Sequence, residues 1–299
     1  MHRNNAGELL MNAWNEEPWV AQVEAVAGRP LQQVTPLHGG MIGEVYRVRF
    51  ADGAQAVAKV DRRAQPELAI EGMMLGYLGA HSDVPVPALW HVAPDLLLMD
   101  YLPGVSSFDG AAEAHLAELL VDLHGIHADA CGFDRDTLIG LLPQPNPWTT
   151  SWVDFFREQR LRHLGQRAVA MGRMPAALMT RIDALARRLD DIIEEPARPS
   201  LLHGDIWAAN VLAKDGHITG VLDPAIYYGH REIELAYIFL FHSFGDAFRD
   251  RYLELWPLTP GYFQERIFVY QLYPLLSHVC HFGGHYVQST AAVLARLGF

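Results

Sequence analysis

Between positions 201 and 229 the chain runs LLHGDIWAANVLAKDGHITGVLDPAIYYG, and this stretch limits what it can fold into more than any other. Leu201 and Leu202 lead as a strand into His203-Gly204-Asp205, Val211 and Leu212 follow Asn210, and Val221 and Leu222 lead into Asp223. Two carboxylates and an amide are thereby presented at strand ends. Phosphoryl transfer needs those groups: a carboxylate that accepts the nucleophile's proton, and hard oxygen ligands that hold Mg²⁺ against phosphates. Asp205 suits the base, and Asn210 with Asp223 the metal clamp. Either acid alone is better explained by a turn whose side chain satisfies local backbone groups, so the weight rests on the combination.

Spacing adds to it. Asn210 follows Asp205 by five positions, as in the kinase loop H-R-D-x-x-x-x-N, and Asp223-Pro224-Ala225 stands in the place of D-F-G. Gly204 replaces the Arg, as in aminoglycoside and choline kinase-like proteins, which the HGD sequence resembles.

Upstream, His38-Gly39-Gly40-Met41-Ile42-Gly43 reads as a turn between strands whose backbone N–H groups approach a phosphate, with Gly39 and Gly40 as the contacts. By itself such a turn is usually a plain hairpin. The alternation of Tyr46, Val48 and Phe50, the Asp52-Gly53 turn and a returning strand from Ala54 to Val60 give it context. That strand, Gln55-Ala56-Val57-Ala58-Lys59-Val60, resembles the V-A-I-K strand of kinases, so Lys59 is expected at the α and β phosphates. Glu71, on a following helix with Leu68, Leu75 and Leu78, is its expected ion-pair partner, although Gly72 and Gly76 weaken that helix by up to ~1 kcal/mol each. After strands over 88–92 and 96–100, Met99-Asp100-Tyr101-Leu102-Pro103-Gly104 reads as a hinge whose backbone meets adenine.

Elsewhere the pattern is helical. A first helix is expected from Pro18, with Trp19, Val23 and Val26 on one face and Gly28 as its stop; residues 1–15 show no strong period. Leu116, Leu119, Leu120 and Leu123 form one core stripe, and Leu178, Ile182, Leu185, Leu189 and Ile192 another. Pro143-Gln144-Pro145-Asn146-Pro147-Trp148 reads as an ordered surface loop before a helix over 152–164. His278, His281 and His285 have helical spacing, but Gly283-Gly284 interrupts it; hydrogen-bonded core histidines or a substrate wall are favoured over a zinc site.

The 299 residues suit two lobes, and a hydrophobic fraction of 50% excludes a mostly disordered chain. A formal charge of −12 argues against broad nucleic-acid binding or an anionic membrane surface. Cys131 and Cys280 are too few for a disulfide framework, no secretory leader opens the sequence, and no apolar run spans a bilayer. A cytoplasmic setting is expected.

Together, Cys131-Gly132-Phe133 through Ile139-Gly140, the Pro-Gln-x-Asn segment at 143–146, His203-Gly204-Asp205-Ile206-Trp207 and residues 223–232, DPAIYYGHRE, resemble the fructosamine kinase family, the ketosamine 3-kinases of the aminoglycoside-phosphotransferase-like fold. The resemblance implies an α+β, two-lobed, protein-kinase-like fold: 1–101 with an antiparallel sheet, helix, glycine loop and hinge, and 102–299 mostly helical with the catalytic loop, metal site and acceptor pocket. It implies ATP and Mg²⁺ as cofactors, a free or protein-bound ketosamine as partner, and phosphorylation of the sugar C3 hydroxyl, after which the sugar leaves and the amine is recovered. By the same resemblance Asp205 is the proton acceptor, Asn210 and Asp223 bind Mg²⁺, Lys59, Glu71, Gly39 and Gly40 serve the phosphates, and Met99, Asp100 and Tyr101 meet adenine. Trp207, His203, Tyr228 and His285 are its expected substrate residues. Met41 replaces a frequent glycine-loop Cys, Cys131-Gly132-Phe133 replaces Phe-Gly-Phe, and Glu234 stands where Asp is usual. The competing readings are a kinase for another small alcohol, such as an aminoglycoside, choline or homoserine, and a catalytically silent nucleotide-binding protein.

Overall fold

The computed structural model describes residue 14 and residues 17–37 and 43–299, so most of the amino-terminal stretch and the Gly39-Gly40 turn with Met41 lie outside the described residues. After α1 (Pro18–Ala27), strands β1 (Leu31–Leu37), β2 (Glu44–Phe50) and β3 (Gln55–Val60) are followed by α2 (Leu68–His81), β4 (Leu89–Val92) and β5 (Leu96–Asp100). The five strands form one antiparallel sheet in the order β1-β2-β3-β5-β4.

Strand periodicity decides which way each residue of β3 faces. Ala56, Ala58 and Val60 join Val48, Phe50, Leu96 and Leu98 under Trp19, Val20 and Val23 of α1. Val57 joins Leu97 and Met99 on the other face, under Leu68 and Leu75 of α2. Lys59 shares the parity of Val57, so it is aimed at α2. Val26, expected on the buried face of α1, is instead exposed, because the packed face runs through Trp19, Val20, Val23 and Ala27 and leaves Val26 at its edge. Met74 and Leu78 of α2 belong to the large core of the carboxyl-terminal half, which makes this helix the packed link between the sheet and the rest.

That half begins with α3 (Gly110–His124), whose Asp109 caps the helix by accepting from Ala112 N at 2.8 Å. A hairpin of β6 (Thr137–Ile139) and β7 (Leu142–Gln144) follows. Next, α4 (Trp152–Phe155), a π-helical stretch (Phe156–Arg162) and α5 (His163–Ala170) run without a break, longer than expected. The second leucine stripe splits: α6 (Ala176–Ala186) carries Leu178, Ile182 and Leu185, whereas Leu189 lies in a separate 3₁₀ turn and Ile192 beyond it. Short ladders pair β8 (Ser200–Leu202) with β11 (Tyr227–Gly229), and β9 (Val211–Lys214) with β10 (His217–Val221). The chain closes with α7 (Arg231–Leu240), α8 (Asp246–Leu255), α9 (Ile267–Phe282) and α10 (His285–Arg296). No helix among the described residues is long and apolar enough to cross a membrane.

The segment expected as a surface loop at 143–148 is instead partly strand, and its polar side chains are buried. Gln144 Nε2 donates to Ala225 O and Thr137 Oγ1, both at 2.9 Å, and Asn146 Nδ2 donates to Thr137 Oγ1 at 2.8 Å. Arg160, fully buried in the π-helical stretch, donates to Asn146 Oδ1 at 2.8 Å. The prolines end the strand; the amides bind the hairpin to the loop that carries Asp223.

Gly204 tests how tightly that loop is pressed. A Cβ there would lie 2.2 Å from the Ala225 carbonyl oxygen, and φ is +87°. Gly28, at φ +67°, has open space around its missing Cβ. Gly28→Ala is expected to bear only the backbone cost of about 1 kcal/mol, and Gly204→Ala at least about 2 kcal/mol more, because backbone must move. Chemical denaturation of the two variants checks this; equal losses would mean the contact relaxes freely.

Candidate active site

The strand, the helix and the catalytic segment meet in a cleft of about 520 Å³. Lys59 Nζ donates to Glu71 Oε1 at 2.5 Å and also to Asp223 Oδ1. Lys59 and Glu71 are buried, so the expected pair is present, and the lysine additionally bridges to the carboxyl-terminal half. Burial pulls the Lys59 ammonium toward neutrality, but the Asp223 and Glu71 charges outweigh it and raise its pKa above the ordinary value. Burial raises the Glu71 carboxyl, with Lys59 opposing.

Asp205 follows the β8 strand end and Gly204. Asn210 Nδ2 donates to its backbone oxygen at 2.9 Å and to Oδ2 at 3.0 Å, while Oδ1 is buried and meets no hydrogen-bond geometry among the described residues, with the Tyr237 phenol beside the carboxyl. Burial raises this carboxyl to about 7; the Tyr237 phenol and the Asn210 amide oppose the rise, and the Asp223 charge adds to it. A carboxylate poised there, with one oxygen unclaimed, has the properties of a general base. His203, fully buried, is lowered to about 4 by desolvation and is neutral; its Nδ1 accepts from Asp205 N at 3.3 Å.

Glu234 of α7 braces this loop. Its Oε1 accepts from Gly204 N at 2.5 Å, and its Oε2 accepts from His203 N at 3.4 Å and bonds His124 Nε2 at 2.8 Å. Burial would raise its pKa, but the His124 hydrogen bond and the nearby imidazoles hold it below the usual range. The longer side chain at this position therefore serves two elements at once.

Asp223 adopts φ +53°, a left-handed backbone uncommon outside glycine. Backbone bonds from Leu222 N to Asn210 O and from Ala225 N to His203 O, each 2.8 Å, hold it there. Asn210 is anchored through its nitrogen, so its Oδ1 is not used in those bonds, and its backbone is tied to Leu222 beside Asp223. Two hard oxygen donors next to a carboxylate-rich centre fit Mg²⁺.

One end of the cleft is apolar, with Val45, Val57, Leu212 and Leu222, and is bordered by Met99, Asp100 and Tyr101. The other end lies beyond Asp205, toward Trp207, Tyr237 and α9. Trp207 is 40% exposed there and is not a core residue. The structure brings together Lys59, Glu71, Met99, Asp100, Tyr101, Asp205, Trp207, Asn210 and Asp223, but His203, Tyr228 and His285 do not line the cleft. His203 lies behind the loop, Tyr228 is buried with its hydroxyl 2.8 Å from that of Tyr77, and His285 is exposed at the start of α10 because Gly283-Gly284 turns it away from the α9 face. Of the histidine group, His278 and His281 line the cleft. Tyr237 and Phe282 were not singled out from sequence; the i, i+3 spacing of Glu234 and Tyr237 on one helix was the available signal.

These features define a small-molecule phosphotransferase of protein-kinase-like architecture. The sequence profile of the fructosamine kinase family matches residues 16–298. The probable ketoamine kinase of Synechocystis sp. is 32% identical over 295 residues, covering 93% of this chain and 96% of that protein. A solved structure assigned as a fructosamine-3-kinase, from Thermobifida fusca, superposes with TM-score 0.83 at 31% identity, over 93% of this chain and 99% of that one. A thermostable aminoglycoside phosphotransferase APH(4)-Ia variant, solved with AMP-PNP and hygromycin B, shares the fold at 18% identity and TM-score 0.64, over 93% and 96% of the two chains. The chain belongs to the fructosamine kinase family, and it is a phosphotransferase with an alcohol group as acceptor.

The Lys59–Glu71 pair yields a prediction. In kcat/KM, Lys59→Met, Glu71→Gln and the double variant should show a coupling of at least about 1 kcal/mol. Additive losses would leave the two side chains acting independently.

Proposed function

We propose that this protein is an ATP-dependent, cytoplasmic ketosamine 3-kinase that phosphorylates the sugar C3 hydroxyl of fructosamine- or ribulosamine-type adducts, so that the product sheds its sugar and the amine is repaired. The observation that carries the reading is the single cleft in which Asp205, with its unclaimed Oδ1, faces both the Lys59–Asp223 centre and Trp207. Residues 1–101 form the nucleotide lobe and 102–299 the catalytic and acceptor lobe.

ATP lies with its base at 99–101 and its phosphates at Lys59, which Glu71 keeps charged and oriented. Asn210 and Asp223 would hold Mg²⁺, which when bound neutralises the phosphate oxygens. Asp205 Oδ1 accepts the proton of the C3 hydroxyl as the hydroxyl oxygen attacks the γ phosphorus, the bond from that phosphorus to the β,γ-bridging oxygen breaks and ADP leaves, and Glu234 fixes the backbone that aims Asp205. The Trp207 face meets the sugar.

Incubation with ATP, Mg²⁺ and synthetic fructose- and ribose-derived ketosamines should release ADP, and phosphorus–proton NMR should place the phosphate on C3. A phosphate on another hydroxyl would overturn the position. Asp205→Asn should lower kcat by at least about 10²-fold with nucleotide affinity retained, whereas Asp223→Asn should weaken Mg²⁺-dependent nucleotide binding directly. Identical Mg²⁺ titrations for the two would contradict the division of roles. Trp207→Ala should raise the ketosamine KM by about tenfold and leave that for ATP and the thermal midpoint near the parent values. A collapsed midpoint with an unchanged acceptor KM would return Trp207 to a purely structural role.

A further inference from the structure

The cleft continues past Asp205 into a region that phosphate transfer does not use. One wall is the β6–β7 hairpin, with Leu138, Ile139 and Gly140; the other is the end of α9, with His278, His281 and Phe282. The walls are joined by a hydrogen bond in which Leu141 N donates to His281 Nε2 at 3.2 Å.

That bond settles the charge of His281. Its Nδ1 lies 2.8 Å from Ser277 O and must donate, while Nε2 accepts, so the ring is a neutral imidazole with both nitrogens in use. Protonation would break the contact with the hairpin, in keeping with burial having lowered its pKa to about 4. His278 Nδ1 lies 2.8 Å from Pro274 O, and burial lowers its pKa also.

Phe282 is the last residue of α9 and is 58% exposed, although it lines the cleft. Its ring stands 5.7 Å from that of His278 and 5.8 Å from that of His281. Trp207 is the other large exposed aromatic in the lining. Among the described lining residues Lys59 is the sole Lys or Arg, and it is engaged by Glu71 and Asp223. The acids of the lining are in the catalytic centre and at the hinge, none on the hairpin or on α9.

We infer that the hairpin tip and the end of α9 form a subsite for the amine substituent of the ketosamine, and that it selects an uncharged apolar or aromatic substituent over a carboxylate-bearing one. Two physical causes act in the same direction. The aromatic and aliphatic wall removes apolar surface of the substituent from water; Arg167 and Arg173 act on His281 but lie outside the lining, with Arg173 engaged by Cys280 O, so a carboxylate in the cleft finds no free lining cation and is repelled by Asp205 and Asp223. This inference rests on the proposed ketosamine activity and adds the class of amine.

The test compares fructose adducts of benzylamine, ethanolamine and glycine with the intact protein. The kcat/KM should fall in that order, with benzylamine at least about tenfold above glycine. Phe282→Ser, at an exposed helix end, should bring that ratio to within about threefold. A glycine adduct used as well as the benzylamine adduct, or a ratio unchanged in Phe282→Ser, overturns the subsite while leaving ketosamine kinase activity standing. If none of the adducts is phosphorylated, the proposed activity itself fails, and the subsite with it.

Discussion

The structure depends on one buried ammonium. Lys59 and Lys214 are the chain's two lysines, and Lys59 is placed between Glu71 of the sheet-bound helix and Asp223 of the catalytic half. An ammonium is costly to desolvate, and a single carboxylate seldom compensates fully. Two carboxylates do, but they leave the centre negative, and Asp205 close by makes it more so. A chain carrying −12 overall has no surplus of cations to spend on this. Under the proposed function this excess of oxygen donors would suit a divalent cation, which Asn210 and Asp223 would hold and whose charge would offset their repulsion. The arrangement also explains why the parity of β3 matters: a shift by one residue would put the ammonium under Trp19 and leave both carboxylates unpaired.

Around this centre the loops are held by backbone contacts, more than by side-chain bulk. The Gly204 backbone presses on Ala225, Ala225 N returns a bond to His203 O, and Leu222 N does so to Asn210 O. Asp205, Asn210 and Asp223 thus share one small frame, in which the left-handed Asp223 is kept. Glu234 closes the frame from α7, and Gln144 closes it from the hairpin by donating to Ala225 O.

Much of this frame was legible in the sequence. Short apolar pairs at 201–202, 211–212 and 221–222 marked the strands, which the structure extends to 200–202, 211–214 and 217–221, and the five-residue interval from Asp205 to Asn210 survived as a hydrogen bond between their side chains. What a linear pattern could not show was depth. Pro143-Gln144-Pro145-Asn146 has a loop's composition, yet a buried Arg160 and a hairpin gave its amides partners distant in sequence. His203 and Tyr228 stand close to catalytic residues along the chain, but strand alternation and the β8–β11 ladder direct them behind the loop. The leucine period running through Leu189 and Ile192 carried no stop signal strong enough to reveal that α6 ends at Ala186.

Dryness links the parts of the mechanism. The burial that lifts Asp205 to about 7 also keeps His203 neutral and makes each charge at Lys59 count for more. A base in bulk water would stay near an ordinary carboxylate value and attract a proton weakly; a base fully enclosed would never meet its substrate. The cleft meets both needs by holding Oδ2 with Asn210 and the carboxyl beside Tyr237 while Trp207 and Phe282 line the cleft with faces exposed for a ligand to cover. Under the proposed function, an acceptor that covers those faces would displace water from Asp205 as it binds, so that acceptor binding and activation of Asp205 would be one event.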